Sequence, residues 1–127
     1  AAASGGGDHD ANADAAHALR QQCLEAATQL GFDLQKAVAR QYHSEDPMCE
    51  CYMSSAFPAM LVFAYKYADS SEACLLASAN AGGENVARGS ALGSLLGAAY
   101  GKRGFSQWMY DGLLDREAIE AEIEAAL

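Results

Sequence analysis

A glycine recurs at every fourth position in one segment of the chain, and this spacing limits the fold more than any other feature. The glycines are Gly89, Gly93, Gly97 and Gly101, with mostly small residues between them. Residues four apart lie on one face of a helix, so the first three would form a strip without side chains. Glycine in a helix costs about 0.5–1 kcal/mol relative to alanine, and close approach of another helix backbone is the usual compensation. The spacing predicts a helix that is buried on its glycine face.

The composition favours helices in the rest of the chain as well. Of the 127 residues, 51% are apolar, alanine is abundant and β-branched residues are few. This balance is typical of an all-α protein, and a chain of this length can bury a real core. We therefore expect a compact multi-helix array. We assign residues 1–10 to a small, polar tail and residues 11–127 to a single helical domain.

Hydrophobic spacing divides the first half of the domain into three predicted helices. The first runs from about Asn12 to Leu30, and a second follows Asp33. Residues 43–48 form a loop. The third helix contains Pro58 in its first turn, where the missing N–H is harmless. Its body is the most apolar segment of the chain and should lie at the centre of the fold.

Capping residues mark the helices of the second half. Residues 69–72 resemble a capping arrangement for a helix through Ala77, and the glycine pair at 82–83 ends that helix. Asp115 is expected to cap a final helix with glutamates on most of its faces. The apolar stripe of that helix consists of Ile119, Ile123 and Leu127. Three apolar residues should anchor the connector before it: Trp108, Leu113 and Leu114.

The net charge of −9 is concentrated near the two ends of the chain. Residues 1–16 carry −3 and residues 111–127 carry −5. No basic stripe is available to displace counterions from a nucleic acid, so we expect no nucleic-acid partner. An acidic surface that faces water or a basic partner protein fits better.

Neither a membrane span nor an uncleaved signal peptide is expected. The longest apolar run, residues 56–65, is about half as long as a bilayer requires. The small residues that follow Ala1 are consistent with removal of a targeting peptide. We interpret this as an indication of an organelle protein, with a cytoplasmic location as the alternative.

The four cysteines do not match a zinc-binding pattern. Cys49 and Cys51 are separated by one residue, whereas zinc pairs usually have two to four residues between them, and no second pair follows. We expect buried free thiols at these positions and at Cys23 and Cys74. A disulfide is possible, but nothing in the spacing requires one.

The segment after the glycine pair at 82–83 is the principal candidate site. The glycines allow a close approach to the backbone, and the start of a helix favours anions. Mg²⁺ requires several hard oxygen ligands, of which Glu84 supplies a carboxylate and Asn85 an amide oxygen, while Val86 and Ala87 supply none. Taken by themselves, Glu84 and Asn85 are either metal ligands or helix caps.

Two further residues are candidates for binding a partner. Arg88 lies one turn into the glycine-rich helix, where it would bind an anion or a carboxylate of a partner protein. The simpler interpretation is a salt bridge with Glu84 at i, i+4 spacing. Tyr110 is either an interface residue or a core anchor. The neighbouring Trp108 is interpreted as a core residue.

The segment around the glycine pair resembles the carboxyl-terminal signature of the ADP-ribosylglycohydrolase family, whose members are all-α and depend on magnesium. That signature contains Gly-Gly-Asp-Thr/Ser-Asp-Thr and a small-residue helix that ends in Gly-Ala-x-Tyr-Gly. Here Asn80, the glycine pair at 82–83 and the "GSLLGAAYG" ending match it. Residues 56–83 and 107–123 are similar to flanking helices of the family. The resemblance covers residues 49–127 and implies a compact orthogonal array of helices like the carboxyl-terminal part of that fold.

The chain departs from the family pattern at the positions that would bind metal. The resemblance places the first metal-binding aspartate on Glu84 and the intervening hydroxyl residue on Asn85. The second aspartate falls on Val86 and the closing Thr/Ser on Ala87. Two upstream acidic segments of the family, a Gly-Asp segment and a Thr-Asp-Asp-Thr-like segment, do not occur in these 127 residues. Two-metal catalysis requires both ions to be held beside the reacting bond.

Three functional hypotheses follow. The first is a non-catalytic, ADP-ribosylglycohydrolase-like protein that needs no cofactor and serves as a structural or linker subunit among other protein subunits. The second is the carboxyl-terminal portion of a magnesium-dependent enzyme that removes ADP-ribose from protein or nucleotide groups, with Glu84 and Asn85 among the Mg²⁺ ligands. The third is a vestigial module that binds an anion at the helix start near Asn85 and Val86.

Overall fold

Seven α-helices make up most of the residues that the computed structural model describes, which are residues 6–40 and 51–127. No strand occurs within these two ranges. The structure is therefore all-α, as the composition predicts. The predicted loop at 43–48 lies outside the described residues. The helices are α1 (Gly6–Gln29), α2 (Leu34–Val38), α3 (Met53–Lys66), α4 (Ser71–Asn80), α5 (Asn85–Tyr100), α6 (Gln107–Asp111) and α7 (Arg116–Ala126), with a 3₁₀ turn at Lys102–Gly104 before α6.

Helix α3 lies at the centre of the fold, as its apolar sequence predicts. It packs against α1, α2, α4 and α5, and its residues 61–64 are buried without interruption. A helix that is apolar on every side must be covered on every side. The partner helices contribute one buried face each, which consists of Leu19, Cys23 and Ala27 on α1, Leu34 and Ala37 on α2, Cys74 on α4, and Leu92 and Leu96 on α5.

Helix α1 begins at Gly6, before the predicted start near Asn12. The segment before Asn12 is rich in small and polar residues, which indicated a tail. The helix nevertheless extends through it. Leu30, which was assigned to this helix, follows its last residue and is 54% exposed.

Pro58 lies in the second turn of α3, so the prediction that it occupies the first turn is wrong. The helix begins at Met53, five residues before the proline. The missing N–H removes the hydrogen bond to the carbonyl of Ser54. Because Ser54 is exposed, its carbonyl remains accessible to water, and the helix continues to Lys66 with this one bond absent.

The glycine face of α5 is not covered by another helix, so the predicted close contact is wrong. A methyl group at Gly89 or Gly93 would meet no atom within 4 Å, and one at Gly97 would lie 3.8 Å from the Phe105 ring. The buried row of α5 consists of Arg88, Leu92 and Leu96. These residues immediately precede the glycines along the chain, so the core faces the neighbouring row and the glycines lie at its edge.

The connector between α6 and α7 is not anchored by buried apolar side chains. Trp108 is 57% exposed, Leu113 is 48% exposed and Leu114 is 85% exposed. The predicted apolar anchoring of this connector is therefore wrong, because the 3₁₀ turn carries α6 to the surface. Asp115 does occupy the N-cap position of α7, but its side chain makes no capping hydrogen bond.

Candidate functional site

The turn between α4 and α5 is built by the glycine pair. Gly82 and Gly83 have φ angles of 75° and 64°, a left-handed conformation that side chains disfavour. Gly82 donates to the carbonyl of Ala79 at 3.3 Å, which ends α4 as the sequence predicts. The turn therefore places residue 84 at the N-cap position of α5.

The side chain of Glu84 caps α5. Its Oε1 accepts a hydrogen bond from the backbone N–H of Ala87 at 3.2 Å, so the carboxylate satisfies one of the free donors at the helix start. The Nδ2 of Asn85 donates to the carbonyl of Ala79 at 3.4 Å. Val86 is 79% exposed and offers no oxygen donor. Both polar residues thus contact the protein's own backbone.

Arg88 is buried beneath this turn, with 3% of its surface exposed. Its Nε donates to Ser78 Oγ at 2.9 Å, and its Nη2 donates to the carbonyls of Ser78 at 2.8 Å and Gly82 at 2.6 Å. The guanidinium also lies 5.4 Å from the centre of the Phe63 ring. Its Nη1 is buried without a hydrogen-bond partner. Arg88 therefore fixes the start of α5 to the end of α4.

The favoured salt bridge between Arg88 and Glu84 does not form. Ion pairs within the described part of the chain join other residues, and Arg88 turns into the core. The reason is that the last carbonyls of α4 need donors and carry partial negative charge. Burial also removes most of the guanidinium surface that an external anion or a partner carboxylate would contact.

The principal partner of Arg88, Ser78, was not predicted from the sequence. It lies on α4 together with Ser71 and Cys74, and all three are buried. Their spacing of i, i+3 and i+7 defines one helix face. That spacing was a usable signal, since a serine on an otherwise buried face needs an internal hydrogen-bond partner.

Tyr110 joins α6 to α7 and does not contact the glycine turn. Its hydroxyl donates to Glu120, and Lys102 Nζ lies 4.2 Å from its ring centre. Lys102 also pairs with Glu120 at 2.5 Å. The hydrogen bond from Lys102, reinforced by that from Tyr110, lowers the pKa of Glu120. Arg88 and Tyr110, both candidates for partner binding, thus belong to two separate contact networks.

Two of the four cysteines confirm the expectation of buried free thiols. Cys23 and Cys74 are free and buried. Burial raises the pKa of Cys23 to about 11 and that of Cys74 to about 12. Cys51 is also free but exposed, because it precedes α3 outside the core, and this part of the prediction is wrong. Cys49 lies outside the described residues.

No group of three or more histidine, cysteine, aspartate or glutamate side chains converges in the part of the chain that the structure describes. Among residues 84–87, the side-chain oxygens are those of Glu84 and Asn85.

No helix in the described ranges is both long and apolar enough to cross a membrane.

The all-α fold is consistent with the resemblance to the ADP-ribosylglycohydrolase family. The sequence model of the ADP-ribosylglycohydrolase family matches residues 1–127, which includes the residues before 49 where the motifs gave little resemblance. The chain belongs to the ADP-ribosylglycohydrolase family. Comparisons with curated proteins and with solved structures gave no significant match.

Proposed function

We propose that this chain is a non-catalytic member of the ADP-ribosylglycohydrolase family and serves as a helical subunit of a larger protein assembly. One observation carries the proposal. The Glu84 carboxylate is the N-cap of α5, bonded to the Ala87 N–H at 3.2 Å, while the exposed side chain two residues later is Val86. The two acidic positions of the family signature are thus a helix cap and an aliphatic surface residue.

The residues at the turn do not fit a magnesium ion. Mg²⁺ is bound through carboxylates and other hard oxygens in near-octahedral geometry. The turn offers one carboxylate that already accepts a backbone N–H and one amide that is turned toward Ala79. The guanidinium of Arg88 adds a buried positive charge bonded to the Gly82 carbonyl, and like charges repel. We therefore assign no catalytic step to this turn.

Exposed apolar surface supports the role as a subunit. A cavity of about 670 Å³ lies between the end of α1 and the start of α3. Leu30 at 54% and Met53 at 76% exposure contribute to its lining. A second surface on α7 exposes Ile119 and Ile123. We expect these exposed apolar side chains to be the places where a subunit contact forms.

The alternative is that the chain is the carboxyl-terminal portion of a magnesium-dependent enzyme that releases ADP-ribose. Family membership across residues 1–127 favours it. In that case Glu84 and Asn85 would contribute to a metal site whose other ligands lie elsewhere. The two proposals differ in whether Glu84 matters for hydrolysis or only for capping a helix.

An assay of ADP-ribose release separates these proposals. Protein carrying ADP-ribose is incubated with the chain and Mg²⁺, with an active family member in parallel as the positive control. We expect the same background release from the wild type and from Glu84→Gln. Release that requires Mg²⁺ and is lost in Glu84→Gln would overturn the non-catalytic proposal.

A further inference from the structure

We draw no further inference here: the strongest candidate, the apolar cavity between the end of α1 and the start of α3 whose lining includes Leu30, Met53 and Phe57, is an unpartnered surface, and nothing in the described part of the chain shows what covers it.

Discussion

Arg88 donates hydrogen bonds to both the side-chain and the backbone oxygen of Ser78, at 2.9 and 2.8 Å. The two residues are ten positions apart and lie on opposite sides of the glycine turn. Through a third bond to the Gly82 carbonyl at 2.6 Å, the guanidinium holds both the end of α4 and the turn itself. An internal cation thus organises the segment that carries the family signature.

Replacing Arg88 by methionine should destabilise the fold. The change keeps most of the apolar stem but leaves the carbonyls of Ser78 and Gly82 and the hydroxyl of Ser78 without their donor. We expect a loss of about 2–4 kcal/mol in the free energy of unfolding, measured by denaturant unfolding. Arg103→Met is the control, since Arg103 is exposed, and it should change stability by less than about 0.5 kcal/mol. Equal effects of the two variants would show that the bonds of Arg88 contribute nothing.

Replacing Gly93 by alanine should stabilise the protein. A methyl group there meets no atom within 4 Å, and alanine favours the helix by about 0.5–1 kcal/mol. Gly101→Ala is the contrasting variant. Gly101 has a φ of 64°, which alanine disfavours, so this substitution should destabilise the protein. Thermal unfolding measures both. A loss of stability in Gly93→Ala would mean that the glycine face is packed after all.

The cysteines should differ in their reactivity toward iodoacetamide. At pH 8 only about one in a thousand Cys23 thiols is ionised, since its pKa is raised to about 11 by burial. Cys74, with a pKa of about 12, is ionised even less, and both thiols are inaccessible. Peptide mass spectrometry should find modification of the exposed Cys51 and none of Cys23 and Cys74 until denaturant is added. Equal labelling in the native protein would contradict the buried arrangement.

The contact of α7 with the 3₁₀ turn should depend on pH. Lys102 and Tyr110 lower the pKa of Glu120, so its contribution to stability is present above the pKa of an unfolded glutamate. It is lost as pH falls through the lowered folded value. The wild type should therefore have a higher Tm than Glu120→Gln at pH 7, and this difference should vanish in acid. Glu122→Gln is the matched control and should show no such difference. A difference that persists in acid would exclude this ion pair as its cause.

The start and end of α4 were predicted well from the sequence, because they depend on capping and turn residues close together in the chain. Ser70 caps α4 by accepting a hydrogen bond from the Ala73 N–H, and the glycine pair ends that helix with two positive φ angles. Both features depend on residues a few positions apart. The central place of α3 was also predictable, because an apolar helix has no stable position at the surface.

Features that depend on packing between helices were not predictable in the same way. The four-residue spacing of the glycines predicted that they share one face of α5. It could not show that the adjacent row with Leu92 and Leu96 is the one that faces the core. The position of Arg88 depends on carbonyls at the end of α4, which become its partners only when the turn folds back. Trp108 was expected in the core, yet it lies in the short helix after the 3₁₀ turn and is 57% exposed.

Calorimetric titration with Mg²⁺ tests the central claim most directly, which is that the glycine turn of this chain does not bind a divalent cation. The wild type is compared with Glu84→Gln, and with Val86→Asp as a variant that adds a carboxylate to the turn. We predict no saturable heat for the wild type and titration curves that superimpose with those of Glu84→Gln. Saturable binding of Mg²⁺ to the wild type that disappears in Glu84→Gln would contradict the account.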